Sequence, residues 1–135
     1  MQTISIRQPY AWLICAGHKS IENRSWGIAT PKTLAVHASQ RKMTREDWTL
    51  LRELCKQILH IPVPAAEDLR LGAVIGWMDV ERVETDETKL TPEQYNWSDE
   101  DSKWWIISRA GFIDFPIPLK GRLGLFDTEM VISKK

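Results

Sequence analysis

Hydrophobic positions along this chain follow two periods, and the switches between them mark out its elements. Thr3-Ile4-Ser5-Ile6-Arg7 alternates, with Ile4 and Ile6 on one side and Ser5 and Arg7 on the other, which predicts a first strand. Tyr10 to Ala16 is largely apolar, with Pro9 in its first turn and Gly17 just past its end, the asymmetry of a short helix. From Ser20 a period of two puts Glu22, Arg24 and Trp26 on one face of a strand and Ile21 and Asn23 on the other. Gly27 and Pro31 bracket a loop. Lys32 to Ala38 returns as a strand with Leu34 and Val36 inward and Ala35, His37 and Ser39 on the opposite face. Thr44-Arg45-Glu46-Asp47 resembles a capped helix start, and Trp48, Leu51, Leu54, Cys55, Ile58 and Leu59 recur at helical spacing. Trp48 and Trp12 are therefore expected in the core.

Pro62 and Pro64 end that helix, because each removes a donor and disfavours helix in the residue before it. Gly72 to Val83 predicts a long strand with Val74, Met78 and Val80 on one face and Trp77, Asp79 and Glu81 on the other. The acidic, turn-rich stretch from Thr85 to Ser102 is expected as a surface excursion, with a one-turn helix starting at Thr91-Pro92. Lys103 to Ser108 reads as a strand whose Trp104 and Trp105 point opposite ways, so that one of them faces the core. Pro116 and Pro118 confine the next segment to an edge, and Gly121 to Phe126 is expected to close the sheet. The pattern is that of an α+β fold with five to seven short strands, one strong helix and one short one. A small barrel with flanking helices and an open sheet satisfy it equally.

Composition narrows the class. At 135 residues, 43% hydrophobic, 27% charged and with a formal net charge of zero, the chain has the size of one domain spanning 1–135 and is neither a disordered segment nor a basic nucleic-acid tail. Cys15 and Cys55 lie in apolar helical settings and are expected as buried free thiols, in keeping with a cytoplasmic location. No apolar run reaches the ~20 residues of a membrane helix. The histidines and cysteines have no metal-ligand spacing and there is no phosphate loop, so no cofactor is expected. Charge is unevenly distributed. Positions 1–56 carry nine cations against four carboxylates, net +5, whereas positions 79–101 are dominated by Asp and Glu. A basic face at one end of a neutral domain attracts phosphate.

Chemistry concentrates between residues 17 and 26. Gly17, Lys19, Glu22 and Arg24 form the pattern Gly-x-Lys-x-x-Glu-x-Arg, preceded by Ser5-Ile6-Arg7-Gln8-Pro9-Tyr10-Ala11 and followed by His37-Ala38-Ser39 and Gly72-Ala73-Val74-Ile75-Gly76. In that order and spacing, across roughly the first 80 positions, the sequence resembles the ASCH domain, a relative of the PUA domain of RNA-modifying enzymes. The resemblance implies a compact PUA-like β-barrel of five to seven strands with two flanking helices, in which the motif lines a cleft. It implies RNA or another single-stranded nucleic acid as partner. It also carries two alternatives. Some small members look like amidohydrolases of N4-acylated cytidine nucleosides that use the motif lysine, a threonine three residues later and a distant glutamate. Here Lys19 matches and Glu22 stands in the threonine's place, so the candidate catalytic pair is Lys19 and Glu22. Ribonuclease activity has been proposed within the family as well, and its coactivator namesake implies a protein-interaction module.

Residue by residue, each candidate has two readings. Lys19 follows a helix C-terminus, where a cation gains ~0.3–1 kcal/mol from the dipole. Glu22 and Arg24 read as a same-face ion pair, of small worth if exposed and functional if enclosed. His37 and Ser39 are either hydrogen-bonding strand residues or part of a pocket floor. Trp26, beside a guanidinium, either packs or stacks a base. The expected nucleic-acid site therefore comprises Arg7, Lys19, Glu22, Arg24, Trp26, His37 and Ser39, with Arg7, Lys19, Glu22, Arg24 and His37 around one concave pocket and Trp26 at or near its rim.

Overall fold

The computed structural model describes residues 1–134. Its strands are β1 (Gln2–Ile6), β2 (Ile21–Arg24), β3 (Lys32–Ala38), β4 (Ala73–Glu84), β5 (Lys103–Pro118) and β6 (Leu125–Asp127). Its helices are α1 (Tyr10–Cys15), α2 (Arg45–Glu53) and α3 (Pro92–Trp97). The strands form one mixed sheet in the order β2-β5-β4-β3-β1-β6, with β1 and β3 parallel and the remaining neighbours antiparallel. Register shifts interrupt β3–β4 between Val36 and His37 and β4–β5 at three places. Such bulges bend a sheet and increase its twist, and here they curl it into a half-barrel.

The curl leaves apolar side chains on both faces. Ile4, Ile6, Leu34, Val36, Met78, Val80, Trp105 and Ile107 form one cluster with Ala11 and Ile14 of α1. Leu13, Ile21, Cys55, Trp97, Trp104 and Ile106 form a second. Trp104 and Trp105 are thus both buried, one in each layer, and the expectation that only one would face a core fails because α1, α2 and α3 cover the outer face.

Helix α2 starts where the sequence signals, the Thr44 hydroxyl accepting the Asp47 amide at 3.1 Å. Beyond Glu53 it widens into π-type turns over Leu54–Leu59. Cys55 is buried and Leu51 and Leu59 pack beside it, while Ile58 stays exposed. Trp48 is only half-buried and belongs to neither cluster, whereas Trp12, also half-buried, packs against the second cluster and stacks on His18 at 5.5 Å.

The acidic stretch is more than an excursion. Its helix α3 opens with a reciprocal capping box between Thr91 and Gln94 and buries Trp97 in the second cluster. Asn23 pins it to β2, donating to the Trp97 carbonyl and accepting the Asp99 amide, each at 2.9 Å. Residues 110–118 of β5 pair with β4 alone, since β2 reaches only Lys103–Ile106, so Pro116 and Pro118 do lie on a one-sided edge. After it, Lys120 to Gly124 run as a loop, and only Leu125–Asp127 pairs with β1. No helix among the described residues is long and apolar enough to cross a membrane.

Candidate nucleic-acid cleft

The motif enters through a helix end. Gly17, at φ +85°, turns the chain after α1, and the amides of His18 and Lys19 both return to the Leu13 carbonyl. A left-handed residue closing a helix in this way is almost free for glycine. The turn sends the Lys19 side chain away from the α1 terminus and toward β2. Its ammonium donates to the Ile21 carbonyl at 2.6 Å and lies 3.5 Å from Glu22 Oε1, and 5.3 Å from the Tyr10 ring centroid. The ammonium's partners are thus the Ile21 carbonyl and the Glu22 carboxylate.

Alternation along β2 puts Glu22 and Arg24 side by side. Arg24 Nε donates to Glu22 Oε2 at 2.9 Å, and its terminal nitrogen lies 2.8 Å from the same oxygen and 3.1 Å from the Ser5 carbonyl. Lys19 is 3% and Glu22 6% exposed, so the carboxylate sits buried between two cations. Burial pushes the Lys19 ammonium below its ordinary pKa, and attraction and hydrogen bonding to Glu22 oppose that fall.

Across the curl, His37 of β3 is fully buried, with Nδ1 2.9 Å from Ser5 Oγ and Nε2 2.5 Å from the Leu119 carbonyl. A carbonyl only accepts, so Nε2 carries a proton; in the neutral ring Nδ1 then accepts from Ser5. The imidazole thereby fastens the start of the 119–124 loop to β1 and β3. A Cβ on Gly121 would lie 2.9 Å from both His37 Cε1 and Ser5 Oγ, so a glycine is needed for the loop to close over this pair.

These groups line one open cleft of about 900 Å³. Of the residues singled out in the sequence, Arg7, Lys19, Glu22, Arg24, His37 and Ser39 all line it. Trp26 does not. Strand β2 ends at Arg24, the alternation ends with it, and Trp26 packs edge-to-face on Trp105 at 4.9 Å against the first cluster. The aromatic ring in the cleft is Tyr10 instead, whose hydroxyl pKa burial raises. Arg41, Lys120, Arg122 and Asp99 complete the charged lining and were not singled out. Lys120-Gly121-Arg122 was visible as a basic pair around a glycine, but only the fold brings it back over β1. Asp99 had no signal at all. The lining holds six cations, Arg7, Lys19, Arg24, Arg41, Lys120 and Arg122, against Glu22 and Asp99. No group of three or more histidine, cysteine or carboxylate residues among the described residues could hold a metal ion.

A six-stranded mixed sheet curled into a half-barrel with a few helices is a PUA-like α+β fold. The chain belongs to the ASCH domain family, whose model matches residues 4–116. Among solved structures it is similar to ASCH from Zymomonas mobilis, at 18% identity and a TM-score of 0.54 over 93% of this chain and 85% of that one. A serine-to-alanine and a tyrosine-to-phenylalanine variant of that protein match with TM-scores of 0.53 and 0.52, at 16% and 18% identity, over 93% of this chain and 85% and 87% of theirs. A search of the curated proteins finds no match to this chain.

Proposed function

We propose that the cleft binds single-stranded RNA, taking an unpaired base beside Tyr10 and the flanking phosphates on the surrounding cations. The observation that carries this reading is the six-to-two excess of cations over carboxylates in a single cleft of about 900 Å³, on a chain whose overall charge is zero. Charge concentrated in this way attracts phosphate locally without making the whole surface adhesive. Glu22 and Asp99 supply acceptors for base amino groups, and the kinship of the ASCH domain to the PUA domain of RNA-modifying enzymes supports the same direction. Fluorescence anisotropy with a labelled single-stranded RNA tests it. Affinity should fall as salt rises, and Arg24→Ala should weaken binding by about 1–3 kcal/mol. Affinity that does not change between low and high salt would sink the reading.

One observation favours a second reading, hydrolysis of an N4-acylated cytidine nucleoside. A lysine acts as a base near neutral pH only when desolvated, and Lys19 is buried with its pKa lowered. In this reading Glu22 polarises the attacking water and Lys19 exchanges a proton with the leaving amine. Incubation with N4-acetylcytidine, followed by absorbance, decides it. Turnover lost in Lys19→Ala and Glu22→Ala establishes the hydrolase, and no turnover with RNA binding retained leaves the binding domain.

A further inference from the structure

Outside the cleft, Trp48 is the large side chain that the fold leaves unexplained. It lies on the expected core stripe of α2, yet it is half-buried, belongs to neither apolar cluster and lines two surface grooves. The larger, about 520 Å³, is lined by Met43, Leu69 and Leu71 as well as the indole, with Lys42 and Arg45 as its cations and Glu67 as its carboxylate. Arg52 and Lys56 line the other groove, with Glu53. Among the described residues, Lys42, Arg45, Arg52 and Lys56 make no salt bridge, so their charge is available to a ligand.

The larger groove also adjoins the cleft. Arg7 and Arg41 line the cleft, and their sequence neighbours Gln8 and Lys42 line the groove, so two pairs of consecutive residues form the ridge between them. Gln8 is held in that ridge by its own bonds to the Trp12 amide and the Arg70 carbonyl. A strand leaving the cleft over Arg41 therefore enters a groove lined by Lys42, Arg45 and Trp48.

We infer that the Trp48 groove is a second nucleotide subsite, in which a base of the RNA strand that leaves the cleft stacks on the Trp48 indole while its phosphates meet Lys42 and Arg45. The inference rests on the reading of the cleft as an RNA site and extends that site along α2. Alternating phosphate charge and flat aromatic faces is the chemistry of single-stranded nucleic acid, and a flat apolar wall with unpaired cations beside it suits that better than an acidic peptide, which brings charge without a face to stack.

The test compares RNA oligonucleotides of about three and about ten nucleotides, the longer within the range of single-strand site sizes. The intact protein should bind the longer strand more tightly. Trp48→Ala should weaken the longer strand by about 5- to 150-fold and leave the shorter unchanged. Lys42→Ala with Arg45→Ala, both exposed and harmless to packing, should reduce the salt slope for the longer strand by about 1.4. Urea midpoints of each variant separate lost binding from lost folding, and Trp48→Phe should retain most of the affinity. Equal affinity for both lengths, or a longer strand indifferent to both sets of substitutions, overturns the subsite while the cleft stands. Displacement of the longer strand from the intact protein by poly-glutamate as effectively as by unlabelled RNA also overturns it. Failure of the intact protein to bind either length removes the cleft reading itself.

Discussion

Arg24 of β2 donates at 3.1 Å to the backbone carbonyl of Ser5 on β1, although three strands stand between β2 and β1 in the order of the sheet. In a flat sheet those strands would be roughly 19 Å apart, four spacings of the usual 4.7–4.9 Å. The hydrogen bond therefore measures the curl. Arg24 spans the concave side, and the same guanidinium holds the buried Glu22. One side chain thus holds the ion pair and ties the two ends of the curled sheet together. Arg24→Lys keeps the charge but loses the fork, so we expect a loss of about 1.5–3 kcal/mol in stability by urea denaturation, with Arg24→Ala no less damaging. A variant as stable as the parent would mean that the curl is maintained by the bulges alone.

Removing the carboxylate from this network should expose the tension at Lys19. Glu22→Gln leaves a buried ammonium without its counter-charge, a change that costs about 3–5 kcal/mol when a buried pair is broken. It also takes away the influence that opposes desolvation, so the Lys19 pKa should fall further than in the parent. Titration of the lysine side-chain carbon by NMR reads this directly. A Lys19 that titrates at the same pH in both proteins contradicts it.

The same lowered pKa fixes a pH dependence. Between the folded pKa of Lys19 and the ordinary lysine value, the unfolded chain binds the proton that the folded chain has released. Stability from this group therefore rises with pH across that window, and the cost of the buried charge is fully present below it. Compared with Lys19→Met, the intact protein should gain relative stability as pH climbs from neutral into the alkaline range. Parallel stability curves would remove Lys19 as the cause.

Gly121 offers a way to move the cationic loop while leaving its charges in place. In Gly121→Ala the new methyl meets His37 and Ser5, and both belong to the buried bond system beneath, so the loop gives way rather than the strands. Displacing Lys120 and Arg122 should weaken oligonucleotide binding several-fold, in the range of one lost charged contact, about 1–3 kcal/mol, with a smaller change in thermal midpoint. Binding unchanged would take the loop out of the site.

Thiol chemistry should be silent in the native state. Burial pushes the Cys15 thiol up to about 12 and raises Cys55, and both are free. Ellman's reagent at pH 8 should modify neither until urea unfolds the chain. Rapid modification of the folded protein would show that the helical layer opens easily.

What could be read from sequence follows the range over which each signal acts. The strands around Ile4, Leu34 and Val74, the caps at Thr44 and Thr91 and the edge imposed by Pro116 are local, and the periods carried them. The adjacency of Lys19, Glu22 and Arg24 followed from a turn and an alternation within eight residues. Trp26 was misjudged because the alternation was carried two positions past the end of β2. Trp48 was misjudged because an apolar stripe says which face of a helix is apolar without saying that anything lies against it. Tyr10 and Asp99 join the cleft through contacts that no pattern along the chain encodes, Asp99 by way of Asn23.

That last contact bears on how the site comes into being during synthesis. Asn23 is tied to residues 97–99, and the cleft draws its walls from Ser5 through Gly124. A ribosome has released most of the chain before the second wall of the cleft exists. Until then the Lys19 segment has neither its Asp99 neighbour nor the loop that follows Leu119, and a nascent chain that stalls before β5 has no completed cleft. The cleft is thus a late product of the chain, whole only once residues through Gly124 have been made and folded back over β1.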